Sequence, residues 1–268
     1  MITYPNAKIN LGLHITGKRP DGYHNIESVL YPVSLCDELE IVSADDNQFS
    51  FVSSGLQIGC DDADNLCVQA YRLLDARFGL PAIKMRLHKI IPSGAGLGGG
   101  SADAAFALRM LNNIFNLGLE NQALKELSAK LGMDCPFFID NIPALATGRG
   151  DILTPIGINL SGHTICIAVP AIHIATNDAY ARVEPRSGYL SPAELTGFSI
   201  SRWKEKLKNQ FEETLFPVYP ILDGLKTSFY DSGALYASLS GSGSAVYGIF
   251  ASPPKLKFEE IFYWEREL

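Results

Sequence analysis

No stretch of the 268-residue chain runs for the roughly 18–20 apolar residues that a membrane helix needs, which excludes a spanning helix. Cysteine is scarce. The five thiols, Cys36, Cys60, Cys67, Cys135 and Cys166, are odd in number and include no C-x-x-C pair. That argues against a disulfide framework and a thiolate metal site, and leaves reduced, mostly buried thiols and no protein-held metal as the expectation. Positive charge is also in short supply: 22 Lys and Arg stand against 29 Asp and Glu, a formal net charge of −7. No basic face is present to track a phosphate backbone, so nucleic acid is not an expected partner. An acidic chain holds anions only through local features such as helix N-termini and backbone N–H groups. The opening MITYPNAKINLGLHI lacks the basic start and clean apolar stretch of a signal peptide and the Arg- and Ser-rich pattern of a transit peptide; a cytoplasmic location is expected. Internal repeats and low-complexity tails are missing too. What remains, 47 % hydrophobic, 19 % charged and 10 % aromatic, is the composition of a folded globular chain. At about 150 residues per domain its length suits one large domain or two ordinary ones.

Alternation of residue type over Ala7–Thr16 and the β-branched and aromatic content of Val29–Val42 predict two early strands around a polar loop, Gly17–His24 (GKRPDGYH). An acid-rich start at Asp61–Asp64 precedes Leu66, Tyr71, Leu73, Leu74 and Phe78 at helical spacing, which predicts a helix over Asn65–Phe78. A strand over Lys84–Ile91 then runs into Pro92 and a string in which five of the seven positions from Gly94 to Gly100 are glycine. Packing alone does not explain so many. Behind it, Ala104, Leu108, Leu111 and Phe115 mark one face of a further helix. Downstream, helices are expected over Asn121–Leu131, Ser201–Phe211 and Pro220–Phe229, and strands over Thr164–Val169 and Ala245–Phe250. Thr147–Asp151 reads as a turn, as does a second glycine-rich string, Leu239–Ser244. With Pro155 and Gly157 close by, the boundary between two domains is placed so that they span 1–153 and 154–268.

A strand, a glycine-rich turn and a helix together hold phosphate, because glycines let the backbone approach closely and the helix offers unpaired N–H groups at a positive dipole end. Walker A is excluded, since Gly100 and Ser101 stand where its lysine belongs. Gly94, Gly96 and Gly99 do satisfy G-x-G-x-x-G. A dinucleotide fingerprint, however, opens its fold and has an acid about 20 residues on, whereas here two strands and a helix come first and Pro92 intervenes. An NAD-dependent oxidoreductase is therefore disfavoured. The H-R-D and D-F-G strings of a protein kinase are absent.

Pro92 to Ala105, containing P-x-x-x-G-L-G-G-G-S, resembles the phosphate-binding motif of the GHMP kinases, the family of galactokinase, homoserine kinase and mevalonate kinase. Further strings in matching order, Ala7–Asn10, Gly17–His24, Gly132–Phe137 and Ser240–Ser244, are similar to the branch that phosphorylates a cytidine-linked polyol in the non-mevalonate route to isoprenoids. The resemblance runs from about residue 5 to about residue 250. Two departures stand out: Ala102 and Asp103 follow Ser101 where the family often carries a second serine or Ser-Asn, and the stretch after Phe250 is short and rich in Lys, Glu and aromatics.

The resemblance implies roles that compete with plainer ones. Asp134 could merely cap a helix ahead of Pro136; the resemblance makes it the base that takes the proton of the attacking hydroxyl. Lys8, in an apolar strand, could snorkel to solvent; the resemblance puts it beside the reacting hydroxyl, lowering the hydroxyl pKa and holding Asp134 ionised. Asn10, on the same strand face, becomes a substrate hydrogen-bonding partner. Tyr23 and His24 hold the cytosine, one by stacking and one at the base edge, with Tyr180 covering the other face and Thr176 nearby. For ATP the implied residues are Pro92, Gly94, Gly96, Leu97, Gly98, Gly99, Gly100 and Ser101 around the phosphates. The Ser101 hydroxyl, otherwise an N-cap, would touch a phosphate oxygen or Mg²⁺. Asn65, Leu66 and Lys89 would lie near the adenine; their plainer roles are a helix cap and a solvated strand charge. Mg²⁺ would be held chiefly by ATP and water.

The expectation is thus an α+β protein with a two-domain GHMP-kinase-like fold, an N-terminal nucleotide domain and a C-terminal ferredoxin-like α/β sandwich, meeting at a cleft. It is expected to be an enzyme acting on small molecules, moving the γ-phosphoryl of ATP to the 2-hydroxyl of a methylerythritol moiety. Another GHMP kinase for a small alcohol, of homoserine or mevalonate type, is an alternative that the base-holding GKRPDGYH loop argues against. A non-catalytic nucleotide-binding regulator is a second, disfavoured by the retention of both Lys8 and Asp134.

Overall fold

The computed structural model describes residues 1–186, 191–195 and 197–268. In chain order its strands are β1 (Ile2–Thr3), β2 (Asn6–Lys18), β3 (His24–Cys36), β4 (Glu38–Ser43), β5 (Ser50–Gly55), β6 (Ile83–Lys89), β7 (Ala144–Thr147), β8 (Ile152–Pro155), β9 (Thr164–Val169), β10 (Tyr236–Leu239), β11 (Val246–Phe250) and β12 (Phe262–Glu267). The helices are α1 (Leu66–Phe78), α2 (Gly99–Ile114), α3 (Asn121–Ser128), α4 (Cys135–Asp140), α5 (Thr176–Ala181), α6 (Pro192–Leu195), α7 (Trp203–Lys206), α8 (Glu212–Leu215) and α9 (Pro220–Asp231). The chain is α+β, and its contacts divide it into two compact units.

The first unit is built from Met1–Ala7, Leu35–Ser93 and Gly98–Ile142. Its sheet has the order β1-β4-β6-β5, with β4 antiparallel and β5 parallel to β6. Alternation in β6 buries Ile83, Met85 and Leu87, and helices α1 and α2 pack on each other, with Val68, Tyr71 and Leu74 of one and Ala104, Leu108 and Leu111 of the other buried. Asn65 caps α1, its side chain accepting from the Cys67 N–H, and Gly79 ends the helix in the left-handed conformation. That conformation costs glycine nothing.

The second unit takes Lys8–Ser34, Gly94–Leu97 and Pro143–Leu268. The expected boundary after residue 153 lies inside it, because β7 and β8 complete the sheet begun by the early strands, in the order β2-β3-β7-β8. The turn expected at Thr147–Asp151 joins these two strands. A second, antiparallel sheet has the order β10-β11-β9-β12. Counting its strands in chain order this is 2-3-1-4, the arrangement of a ferredoxin-like sheet. Helix α9 lays Leu222, Leu225 and Phe229 into its core. The irregular stretch before β12 replaces a second crossover helix, and its Leu256, Phe258 and Ile261 pack against that core.

Three expectations about local structure change. The strand expected over Val29–Val42 is two strands, interrupted at Asp37, whose carboxylate is buried and turned to backbone N–H groups of the first unit. The helix expected over Ser201–Phe211 is short. After α7 the chain extends, because Lys208 and Gln210 pair with the backbone of Leu13 and Asn209 donates to the carbonyls of Leu239 and Gly241. The charged and aromatic stretch after Phe250 contributes β12, held on β9 along its whole length.

None of the five cysteines forms a disulfide; Cys67, Cys135 and Cys166 are buried, Cys36 is half-buried and Cys60 is exposed. No helix among the described residues is long and apolar enough to cross a membrane.

Candidate active site

In the first unit, β6 leads into the glycine string and the string opens α2. Gly98 holds the N-cap position with φ 73°, in the left-handed region, and the Ala102 N–H bonds to its carbonyl at 2.9 Å. The N–H groups of Gly99, Gly100 and Ser101 therefore have no partner inside the helix and form its positive end. Gly99 has a packing reason as well: a Cβ there would stand 2.9 Å from Ile91 Cγ2 and 3.3 Å from Lys89 Nζ. Gly100 has none, since it is exposed and the nearest atom to an added Cβ is Leu66 Cδ1 at 3.9 Å. Its lack of a side chain leaves the helix end open, and Leu66 borders that end.

Ser101 is not an N-cap. It sits within the first turn of α2, beside Cys135, whose thiol is pushed up to about 12, chiefly by burial. Asp134 precedes α4 in a right-handed helical conformation, half-buried, and its side chain makes no capping hydrogen bond. The capping explanation for Asp134 is removed. For Asn65 the cap is what the structure shows.

Lys89, expected to lie near the adenine or to be a solvated strand charge, is not solvated: its side chain is only 2 % exposed. The ammonium donates to Asp37 Oδ2 and, at 2.7 Å, to Asp103 Oδ2. Asp37 Oδ1 also accepts from the N–H groups of Ile90 at 2.5 Å and Ile91 at 2.8 Å. Burial, with Asp37 adding to it against the pull of Lys89, pushes Asp103 up to about 7. Burial works against the Lys89 charge, yet Asp103 and Asp37 hold its pKa above the usual value.

In the second unit the two glycine-rich strings meet. Gly96 has φ 77°, and a Cβ on it would lie 2.1 Å from the Ser240 carbonyl oxygen, so only glycine fits. Ser240 Oγ donates to the Gly96 carbonyl at 2.9 Å, and Ala245 N–H to that of Ala95 at 3.0 Å. Lys8 does not snorkel; it is 4 % exposed, and its ammonium donates to Asn10 Oδ1 at 2.7 Å and to the Gly96 carbonyl at 3.0 Å. Its backbone N–H bonds the Leu97 carbonyl at 2.9 Å. Asn10, expected to meet substrate, has both ends of its amide bonded within the protein: the oxygen to Lys8, the nitrogen to Ser28 Oγ at 2.8 Å.

The GKRPDGYH loop joins β2 to β3 and carries Tyr23 at 49 % exposure with the Arg149 guanidinium 5.2 Å from its ring centre. Asp151 grips that guanidinium by two N–H bonds of 3.2 and 2.9 Å. His24 stacks on Tyr180, with centroids 5.1 Å apart and planes 24° from parallel, and Tyr180 sets its edge against Phe211. His24 Nε2 is buried without a hydrogen-bond partner, and burial, followed by Lys18, lowers the imidazole pKa, which keeps the ring neutral near pH 7. A neutral imidazole with one unsatisfied nitrogen is suited to the edge of a base. Thr176 opens α5 with Oγ1 3.3 Å from Ser242 Oγ of the second glycine string.

Sequence reasoning passed over Arg149, Asp37 and Asp103. The Gly-Arg-Gly-Asp string carried a signal for Arg149, an arginine flanked by glycines and an acid. Asp37 and Asp103 carried none that distinguishes a buried acid from a surface one. Among the described residues, no group of three His, Cys, Asp or Glu side chains could hold a metal ion.

Residues 65–146 match the family model for the GHMP kinases N terminal domain, and residues 195–259 that for the GHMP kinases C terminal. The chain is 47 % identical, over all of both sequences, to a protein of Bacteroides fragilis named 4-diphosphocytidyl-2-C-methyl-D-erythritol kinase. It is 50 % identical, over 93 % of this chain and 92 % of the other, to a protein of the same name from Bacteroides thetaiotaomicron. A crystal structure of 4-(cytidine 5'-diphospho)-2C-methyl-D-erythritol kinase superposes with a TM-score of 0.80 at 29 % identity, covering 93 % of this chain and 90 % of that one. The Methanococcus jannaschii mevalonate kinase, 12 % identical, shares the fold over 100 % of this chain and 98 % of its own, with a TM-score of 0.69. Two family models in order along the chain and full-length identity near one half leave one assignment: the chain belongs to the GHMP kinases.

Proposed function

We propose that this chain transfers the γ-phosphoryl group of ATP to the 2-hydroxyl of 4-diphosphocytidyl-2-C-methyl-D-erythritol, a step of non-mevalonate isoprenoid biosynthesis carried out in the cytoplasm. The observation that carries the choice of substrate is the His24–Tyr180 stack with the unsatisfied Nε2: a flat, half-buried aromatic surface with one hydrogen bond on offer suits a pyrimidine. Homoserine and mevalonate have no use for it. The full-length relatives that carry the same name support the reading.

The chemistry follows from the parts. ATP phosphates bind the N–H groups of Gly99, Gly100 and Ser101 and the positive end of α2, which compensates locally for a chain of net charge −7. The Ser101 hydroxyl reaches a phosphate oxygen. Mg²⁺ would be held chiefly by ATP and water, with the Ser101 hydroxyl the nearby protein group, and would supply neutralisation of phosphate charge. Asp134, not engaged as a helix cap, accepts the proton of the attacking hydroxyl. Lys8 is a cation removed from water, where its field is strongest, and Asn10 and the Gly96 carbonyl fix its direction. It stabilises the developing alkoxide. Tyr23, His24, Thr176 and Tyr180 hold the cytidine, and Leu66 borders the nucleotide.

A coupled assay with ATP, Mg²⁺ and the cytidine-diphosphate substrate, run beside homoserine and mevalonate, tests this. Turnover of the cytidine compound alone is expected. Comparable kcat/KM for either small alcohol overturns the substrate assignment, and ATP binding without turnover of any of the three leaves a nucleotide-binding regulator.

A further inference from the structure

The three ionisable side chains Asp37, Lys89 and Asp103 are buried in the first unit, at 0 %, 3 % and 2 % exposure, and take no part in the chemistry above. Their placement along the chain is informative. Lys89 ends β6, Ile90 and Ile91 are the last residues before Pro92, and Asp103 is the fifth residue of α2. Asp37 Oδ1 receives the N–H groups of Ile90 and Ile91, which fixes the backbone entering the glycine string. Asp103 Oδ2 receives Lys89 Nζ, which fixes the first turns of the helix leaving it. Between those fixed points Gly99 lies over Ile91 and Lys89 with no room for a side chain. Both ends of the string are therefore tied to one ammonium.

We propose that Asp37, Lys89 and Asp103 form an ionic clasp that holds the glycine string in its nucleotide-binding shape, with Asp103 a positioning residue for ATP that never touches it. Stability alone is a poor reason for such a group. One cation with one anion is the cheaper buried arrangement, and a second carboxylate adds a like charge to be desolvated. Asp103 spends one oxygen on Lys89 and leaves Oδ1 without a partner. Through Lys89 its side chain ties α2 to the end of β6. What the second carboxylate adds is a tie between β6 and α2. The seven residues from Pro92 to Gly98 belong to no strand or helix; Lys8, Ser240 and Ala245 hold the middle of the string, and the clasp holds its two ends. A string ordered beforehand spares ATP binding the cost of ordering it.

The proposal rests on ATP occupying the end of α2, and the test separates the two. Asp103→Ala and Asp103→Asn both leave the Lys89–Asp37 pair intact and are expected to fold with Tm at or above that of the parent. KM for ATP and the calorimetric Kd for ADP should rise about tenfold in Asp103→Ala, equivalent to about 1.4 kcal/mol, with KM for the cytidine substrate within twofold. Asp103→Asn keeps an acceptor for Lys89 and should return both ATP-site constants to within about threefold of the parent. A purely structural role would move Tm and leave the KM values in place. The clasp is overturned if Asp103→Ala leaves KM for ATP within twofold, raises both KM values alike, or is not rescued by Asn. If the parent itself neither binds ADP nor uses ATP, the proposed function has failed and the clasp falls with it.

Discussion

Gly100 and Gly96 stand four residues apart in the glycine string, and replacing each by alanine should move the protein in opposite directions. At Gly100 an added Cβ meets nothing nearer than 3.9 Å, and the residue is helical. Glycine inside a helix costs roughly 0.5–1 kcal/mol relative to alanine, so Gly100→Ala should stabilise the fold by about that much. For a chain of this size Tm should rise by ~1–4 °C, at roughly 2–4 °C per kcal/mol. The same methyl stands on the open face of the first turn, ahead of N–H groups that a phosphate oxygen must approach to about 2.9 Å. Losing one charge-assisted bond of about 1.5–3 kcal/mol raises KM for ATP roughly 10- to 100-fold, since each 1.4 kcal/mol is about tenfold. At Gly96, with φ 77°, the Cβ would lie 2.1 Å from a backbone carbonyl oxygen. The left-handed conformation alone costs alanine about 1–2 kcal/mol, and neither backbone has room to retreat, so Gly96→Ala should lose more than about 2 kcal/mol, with Tm falling by at least ~4 °C. Thermal unfolding without nucleotide, followed by steady-state kinetics against ATP, measures both. A Gly100→Ala variant with raised Tm and KM for ATP within twofold of the parent would refute the placement of phosphate at the end of α2.

Three further outcomes follow from the same geometry. Tyr23→Ala should raise KM for the cytidine substrate and leave KM for ATP nearly unchanged, as expected when binding is lost without touching the phosphoryl site; an equal rise in both would assign the loop to the nucleotide donor. Asp134→Asn should lower kcat by about 10² to 10⁴, the range for a positioned general base, with both substrates still bound, and kcat within about threefold of the parent would remove the base. Asp103 is pushed up to about 7 in the fold from an ordinary 3.8, so the folded state keeps a proton that the unfolded chain has shed. Stability from this group is therefore present at low pH and lost as pH rises from about 4 through about 7. Asp103→Asn should flatten that decline in a Tm series from about pH 5 to about pH 8, and an unchanged slope would show that Asp103 is already ionised throughout.

Local chemistry was enough to read the strand, glycine string and helix that hold phosphate, since glycine spacing and the apolar face at Ala104, Leu108 and Leu111 are written within a few turns of chain. The extents of β9 and α1, with Asn65 as cap, follow from patterning of the same range. The order of the motifs was sufficient for the family. Tertiary structure decided whatever depends on a distant partner. The break at Asp37 exists because Lys89, Ile90 and Ile91, some 50 residues on, need an acceptor. The helix expected through Asn209 gives way because Leu13 offers its backbone N–H and carbonyl and the Asn209 amide answers the carbonyls of Leu239 and Gly241. Lys8 and Lys89 look alike as lysines in apolar strands. Only the fold shows one turned to the Gly96 carbonyl and Asn10 and the other closed between two aspartates, because the side of a strand that becomes buried, and what waits there, is set by chain that a local window does not contain.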